Sequence, residues 1–117
     1  MKILYVFYDG ECGLCRTCRQ WLMNQRRYLN LQFIAFQTPE ALQLFPTLQE
    51  YEPSRQLVVL SDEGGVYLGD EAWIMCLYAL VDYRQWAQRM ASPLLRPFAK
   101  QLCQAISTNR LFISKFL

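Results

Sequence analysis

The sequence of 117 residues contains no histidine. This absence excludes Ser-His-Asp and Cys-His catalysis, zinc sites of the His-Glu-x-x-His type and every histidine general base. Any chemistry therefore has to use the side chains of Cys, Asp, Glu, Lys, Tyr or Ser. Charged residues are also sparse, at 19%, whereas 53% of the residues are hydrophobic, which is the composition of a globular chain and not of a disordered one.

Long hydrophobic runs are missing as well. The longest wholly apolar run covers residues 72–81, whereas a helix that spans a bilayer needs about 20 residues. The first apolar segment, Ile3–Tyr8, is too short for a signal peptide and has no small-residue cleavage site. We therefore expect a cytoplasmic protein, in which most thiols remain reduced. The odd number of cysteines, five, also argues against a framework of structural disulfides.

Acidic residues are absent from residues 83–117, whereas in residues 1–82 they outnumber the basic ones. Residues 1–82 carry six basic and ten acidic side chains, a net charge of −4. The tail carries six basic side chains: Arg84, Arg89, Arg96, Lys100, Arg110 and Lys115. Four apolar side chains recur four residues apart in it: Leu94, Phe98, Leu102 and Ile106. This spacing predicts a helix with one apolar face, and Pro93 and Pro97 indicate that it begins late or kinks near its start.

The basic tail has several interpretations. We expect its apolar face to pack on the rest of the domain while its basic side chains remain solvated. The alternatives are contact with a membrane surface, for which Leu111–Ile113 and Phe116–Leu117 lie beside basic residues, or contact with a protein that has an acidic face. Nucleic-acid binding is disfavoured, because the net charge is only +2 and no binding motif is present.

Strand and helix patterns alternate through the body of the chain. The predicted strands are 3–8, 31–36, 56–60 and 66–68, and the predicted helices are 12–28, 39–45 and 72–81. Thr38 and Asp70 are predicted N-caps of the second and third helices. The order β-α-β-α-β-β-α predicts an α/β fold, with a mixed four-stranded sheet flanked by helices. We expect one domain over residues 1–117, with 83–117 as a C-terminal helical extension packed on it.

A Cys-x-x-Cys motif, formed by Cys12 and Cys15, lies at the junction of the first strand and the first helix. In this context the motif is typical of thiol redox chemistry. A thiol at a helix N-terminus faces unpaired backbone N–H groups and the positive end of the helix dipole. We therefore expect Cys12 to be the exposed nucleophile, with a pKa below the ordinary value of about 8.5, and Cys15 to be the resolving thiol. Arg16 is expected to add to the stabilisation of the thiolate.

The segment Tyr8-Asp9-Gly10-x-Cys12-x-x-Cys15 resembles the DCC family of thiol–disulfide oxidoreductases. Asp9, Cys12 and Cys15 match the family's Asp-Cys-Cys pattern, and the order of the later elements extends the resemblance over nearly the whole chain. The resemblance implies a thioredoxin-like fold and thiol–disulfide oxidoreductase activity. It implies a disulfide-containing protein or a small thiol such as glutathione as the partner, without identifying the substrate. No bound cofactor is expected, since the cysteine pair carries both electrons.

One position departs from the thioredoxin pattern. Thioredoxins place a cis-proline before the third strand, facing the cysteines, whereas this chain has Gln56 or Arg55 there and Pro53 lies too early. Because that proline keeps metal ions away from the cysteines, its absence leaves a metal site open as an alternative.

Two alternative functions therefore remain. The first is a soft-metal or iron–sulfur binding module that uses Cys12, Cys15 and Cys18, with Cys76 or Cys103 as the fourth ligand. The second is a non-catalytic thioredoxin-like interaction domain whose cysteines only pack in the core. Apart from the metal hypothesis, Cys76 and Cys103 are expected to be core residues.

Asp9 and Cys18 each have two interpretations. Asp9 is either a turn or capping residue, or a catalytic group that moves protons during disulfide exchange. A carboxylate beside a thiolate raises the pKa of the thiol, so a catalytic Asp9 is not expected to stabilise the thiolate of Cys12. Cys18 is either a packing residue or an alternative resolving thiol.

Overall fold

The protein is described from a computed structural model, in which residues 1–108 are placed. The elements in chain order are β1 (Ile3–Tyr8), α1 (Gly13–Met23), β2 (Asn30–Ala35), α2 (Pro39–Leu44), a 3-10 helix (Leu48–Tyr51), β3 (Val58–Ser61), β4 (Val66–Leu68), α3 (Asp70–Tyr78), α4 (Arg84–Met90) and α5 (Arg96–Thr108). The apolar residues 111–113 and 116–117, with Arg110 and Lys115, lie outside the described residues, and the side chain of Cys103 lies outside the described side chains.

The four strands form one mixed sheet in the order β2-β1-β3-β4. Strand β1 pairs parallel with β2 and antiparallel with β3, and β3 pairs antiparallel with β4. A parallel pair needs a crossover connection, which α1 supplies, whereas β3 and β4 are joined by a tight turn. The predicted fold class, a mixed four-stranded sheet flanked by helices, is confirmed, and the predicted strand bounds differ from the observed ones by two residues or fewer.

Successive side chains of the central strands point to opposite faces of the sheet, so each face has its own core. Leu4, Val6 and Val59 lie in one core, with Leu22 of α1 and Cys76 of α3 among the other members. The second core contains Phe7 and Val58, together with buried residues of β2, α2 and the 3-10 helix: Ile34, Ala41, Phe45 and Leu48. This two-sided burial explains why β1 reads as a continuous apolar run and not as an alternating one.

Helix α1 ends at Met23, before the predicted end at residue 28. The backbone N–H of Tyr28 donates a 2.7 Å hydrogen bond to the carbonyl of Ala79, which follows the end of α3 at Tyr78. This pairing shortens both helices relative to the prediction. Local periodicity could not reveal it, because the two segments are far apart in sequence.

The second helix begins as predicted, since the Thr38 side chain accepts a hydrogen bond from the N–H of Ala41 at 3.4 Å. The prediction that Asp70 caps α3 is wrong. Gly69 occupies the cap position with φ 59°, and Asp70 is the first residue of the helix. The Asp70 carboxylate is 3.6 Å from Nε of Arg96, and Arg96 also pairs with Glu71. Arg96 therefore joins α5 to the start of α3.

Within residues 83–108 the tail contains two helices, and α5 begins at Arg96, in keeping with the late start that the prolines indicated. Helix α4 packs against α3 and buries Ala87. The predicted apolar face of the tail is exposed instead, with exposed fractions of 78% for Leu94, 68% for Phe98, 58% for Leu102 and 39% for Ile106. Within the described residues α5 nevertheless contacts α3, and packing of the whole tail on the domain stays a prediction.

Candidate redox site

The site begins with the loop that connects β1 to α1. Because β1 and β2 are parallel, this loop lies next to the loop that follows β2. Oδ1 of Asp9 accepts hydrogen bonds from the N–H of Glu11 at 3.0 Å and from Nε2 of Gln37 at 2.6 Å. The backbone N–H of Gly10 donates to Oε1 of Gln37 at 3.2 Å. The amide of Gln37 and the carboxylate of Asp9 thus fix the loop that precedes Cys12.

Gln37 is a residue that the sequence analysis missed. Its only sequence signal is its position two residues after the end of β2, at the same edge of the sheet as Asp9. Gly10 suits the same close approach, since a Cβ atom there would be 3.1 Å from Cβ of Ala35, which is closer than an ordinary contact.

Cys12 lies at the N-terminus of α1, where the sequence placed it, and it is the N-cap residue of that helix. Its Sγ accepts a hydrogen bond from the backbone N–H of Cys15 at 3.4 Å. The expectation that Cys12 is exposed is wrong, because only 2% of its surface is accessible. The expected thiolate-stabilising contact at the helix N-terminus is therefore present, but in a buried setting. Arg16, whose guanidinium was expected to help stabilise the Cys12 thiolate, is exposed.

Cys15 and Cys18 are half-buried and face two adjoining cavities. Both thiols line the larger cavity, together with Leu14 and Asp9. Its other walls come from distant segments: Phe7, Tyr8, Pro53, Arg55, Gln56, Leu57, Trp73 and Ile106. The segment at which thioredoxins carry a cis-proline therefore lies across the cavity from the cysteines, as its register predicted. Cys12 lines neither cavity.

The smaller cavity lies beside Arg19, which the sequence analysis also missed. Its guanidinium carbon is 5.6 Å from the ring centre of Tyr8 and 5.8 Å from that of Phe33, in cation–π contact with both. Cys15 and Cys18 form part of the same wall. Arg19 follows Cys15 by four residues, which places the two on one face of α1.

The thiols differ in how readily they ionise. Burial raises the pKa of the Cys18 thiol above its ordinary value, and the nearby charge of Cys12 raises it further. Cys76 is fully buried in the core, as predicted, and burial raises its pKa to about 12. Because the thiolate is the reactive form, Cys76 is chemically inert in the folded protein. All four of these cysteines are thiols in this structure: Cys12, Cys15, Cys18 and Cys76.

The predicted metal ligands whose side chains the structure describes, Cys12, Cys15, Cys18 and Cys76, do not form a metal-binding group. Among the side chains described, no three or more from Cys, Asp and Glu form a group that could hold a metal ion. Successive positions on α1 therefore present Cys12, Cys15 and Cys18 as a row of thiols and not as a chelating set. No helix within residues 1–108 combines the length and the apolar character that crossing a membrane requires.

Comparison with known proteins gives one result. No curated protein and no solved structure matches the chain. A family model described as DCC1-like thiol-disulfide oxidoreductase matches residues 6–116. That match covers nearly the whole chain, including Asp9, Cys12, Cys15, the second half of β1 and the other three strands. It agrees with the thioredoxin-like arrangement of sheet and helices. The chain belongs to the DCC1-like thiol–disulfide oxidoreductase family.

Proposed function

We propose that the protein exchanges disulfides with a substrate through Cys12 and Cys15, and that Cys12 is the attacking thiolate. The observation that carries this proposal is the hydrogen bond from the N–H of Cys15 to Sγ of Cys12 at the start of α1. A backbone N–H and the helix dipole both lower the free energy of the thiolate relative to the thiol. Membership of the family supports thiol–disulfide oxidoreductase chemistry in general.

The reaction proceeds in two exchange steps. The thiolate of Cys12 attacks one sulfur of the substrate disulfide, and the other substrate sulfur leaves as a thiolate. Cys15 then loses its proton and attacks Sγ of Cys12, which forms the Cys12–Cys15 disulfide and releases the second substrate thiolate. The substrate gains the two electrons that the protein loses. An external thiol such as glutathione restores the protein by the reverse exchange, and no bound cofactor takes part.

Access to Cys12 is the constraint on this chemistry. Because its exposed fraction is 2%, the substrate reaches Sγ only when the surroundings open locally. The rate of exchange is then proportional to the population of the open state. Cys15, the resolving thiol, lines the larger cavity, so we expect the local opening that admits the substrate disulfide to Cys12 to begin at this cavity. We keep a disulfide-containing protein or glutathione as the partner, and the cytoplasm as the compartment, on the sequence arguments alone.

Trapping of the mixed disulfide tests the assignment. We expect Cys15→Ser, treated with oxidised glutathione, to accumulate one glutathionyl group on Cys12, since the resolving thiol is missing. Under the same conditions Cys12→Ser should gain a glutathionyl group at least about tenfold more slowly, because the favoured thiolate is absent. Intact-mass and peptide mass spectrometry measure both, and Cys76→Ala is the control because its thiol is inert.

Two results would contradict the proposal. Faster trapping on Cys15 in Cys12→Ser than on Cys12 in Cys15→Ser reverses the two roles. Absence of both trapped species, with the wild-type protein also forming no disulfide, rules out exchange through this pair.

A further inference from the structure

We propose that Cys18 is a third redox thiol, which takes the disulfide over from Cys12 and holds it as a Cys15–Cys18 disulfide at the cavity. The inference rests on the proposed function, because it starts from the Cys12–Cys15 disulfide. The observation behind it is that Cys15 and Cys18 line the same two cavities, whereas Cys12 lines neither and is buried.

Helix geometry allows this second pairing. Two residues three positions apart in an α-helix have Cα atoms about 5 Å apart, which lies within the range that a disulfide spans. Their Cβ atoms are about 5–6 Å apart in a regular helix, so the bond forms with a local adjustment of the helix that brings these atoms to about 4 Å. Cys15 and Cys18 are both inside α1 at this spacing, whereas Cys12 is the extended N-cap residue directly before the helix. Six positions correspond to about 10 Å, which is too far for a direct bond between Cys12 and Cys18. The middle thiol, Cys15, is therefore common to both disulfides.

The transfer is an internal exchange that balances without any further reagent. Cys18 loses its proton, and its sulfur attacks Sγ of Cys15. The Cys15–Cys18 bond forms while the Cys12–Cys15 bond breaks, and Cys12 leaves as a thiolate. The protein contains one disulfide before and after the step, so no electron enters or leaves.

The surroundings of the two outer thiols set the direction of this exchange. The leaving thiolate of Cys12 is stabilised by the hydrogen bond from the N–H of Cys15. Cys18 is a poor thiolate, because burial raises its pKa. Exchange favours the products in which the better thiolate is released and the poorer one is bonded. The disulfide therefore moves away from Cys12 and towards the cavity.

This transfer has a consequence for how the protein is reset. A reductant does not need to reach the buried sulfur of Cys12, because the disulfide lies between two thiols that line a cavity. Cys12 is meanwhile restored as a thiolate. The substrate step and the resetting step thus use different sulfur atoms.

The sequence provides a direct way to detect the transfer. Trypsin cleaves after Lys2, Arg16 and Arg19, so Cys12 and Cys15 lie in peptide 3–16 and Cys18 lies in peptide 17–19. The wild-type protein is oxidised with oxidised glutathione, quenched in acid, alkylated and digested without reduction. We expect peptides 3–16 and 17–19 to be joined in the larger part of the oxidised protein, with the alkyl group on Cys12.

Two variants accompany the wild-type protein. Cys18→Ser should retain only the disulfide within peptide 3–16. Cys12→Ser, given excess oxidised glutathione, should still join the two peptides through Cys15, which shows that the second pair forms by itself. Cys76 serves as the internal control, since it should become alkylated only after unfolding.

The outcomes separate the two proposals. If Cys18 is alkylated throughout while a disulfide forms within peptide 3–16, the transfer is wrong and the proposed function stands. A link from Cys18 to Cys12, with the alkyl group on Cys15, also overturns the transfer. If neither disulfide forms, both proposals fail.

Discussion

The carboxylate of Asp9 holds the loop before Cys12 in place and also lies close to the reactive cysteines. Its Oδ1 holds the N–H of Glu11 and the amide of Gln37, and its carbonyl accepts from the N–H of Cys12 at 3.3 Å. These contacts are those of a turn residue that positions the start of α1. The same residue lines the cavity with Cys15, so proton transfer to the cysteines stays a prediction.

Two substitutions at Asp9 separate these interpretations. Asp9→Asn keeps an oxygen that accepts both hydrogen bonds but removes the acidic group, whereas Asp9→Ala removes both. If Asp9 only positions the loop, we expect Asp9→Asn to reduce glutathione exchange by less than about threefold and Asp9→Ala by about tenfold or more, with a loss of stability of about 1–3 kcal/mol. Stopped-flow exchange rates from pH 6 to 9 and urea unfolding measure these effects.

A catalytic Asp9 predicts a different result. In that case Asp9→Asn loses as much rate as Asp9→Ala, keeps its stability, and changes the pH profile of the exchange rate.

Helix α1 illustrates which parts of the site the sequence could predict. The spacing of Cys12 and Cys15, the preceding strand and the start of the helix near Cys12 are all local, and the structure agrees with each of them. The burial of Cys12 could not be predicted in this way. The walls of the cavity have the same limitation, since Trp73 and Ile106 come from α3 and α5. Sequence periodicity carries no information about contacts between elements so far apart.

The ends of the helices, like the site, could be predicted only where they depend on nearby side chains. Thr38 and Pro39 mark the start of α2 with side-chain chemistry that acts within one turn, so this boundary was predictable. The end of α1 depends on a backbone pairing with residue Ala79, and the start of α3 depends on a glycine with positive φ. A carboxylate such as that of Asp70 suits both the cap and the first turn, so sequence alone did not separate these two positions.

Two substitutions at Cys12 separate its contribution to helix stability from its role in disulfide exchange. Serine is a preferred N-cap residue, so Cys12→Ser should keep the capping hydrogen bond and unfold within about 0.5 kcal/mol of the wild-type protein. Cys12→Ala loses the cap and should be less stable by about 0.5–2 kcal/mol. Both variants should react with oxidised glutathione at least about tenfold more slowly than the wild-type protein, because the favoured thiolate is absent. Urea unfolding together with exchange assays checks this, and equal stability of the two variants would show that the cap contributes nothing.

The C-terminal helices connect the charge pattern of the chain to its redox site. Arg96 joins α5 to the acidic start of α3, and Ile106, further along α5, lines the larger cavity with Cys15. The exposed apolar face of α5 is thus continuous with the entrance to the site. Contact of the basic tail with a membrane surface or an acidic protein stays a prediction of the sequence.

The exposure of this face predicts that substitutions in it change the stability of the protein little. Phe98 and Leu102 are 68% and 58% exposed, so the double substitution Phe98→Gln and Leu102→Gln removes little buried surface. We expect it to change the free energy of unfolding by no more than about 0.5 kcal/mol per site. The matched control is Leu4→Ala, at a fully buried position of β1, which should cost about 2–5 kcal/mol. Urea unfolding of the full chain measures all three proteins. If the double variant loses as much stability as Leu4→Ala, the apolar face is covered in the folded protein, as the sequence predicted for the tail.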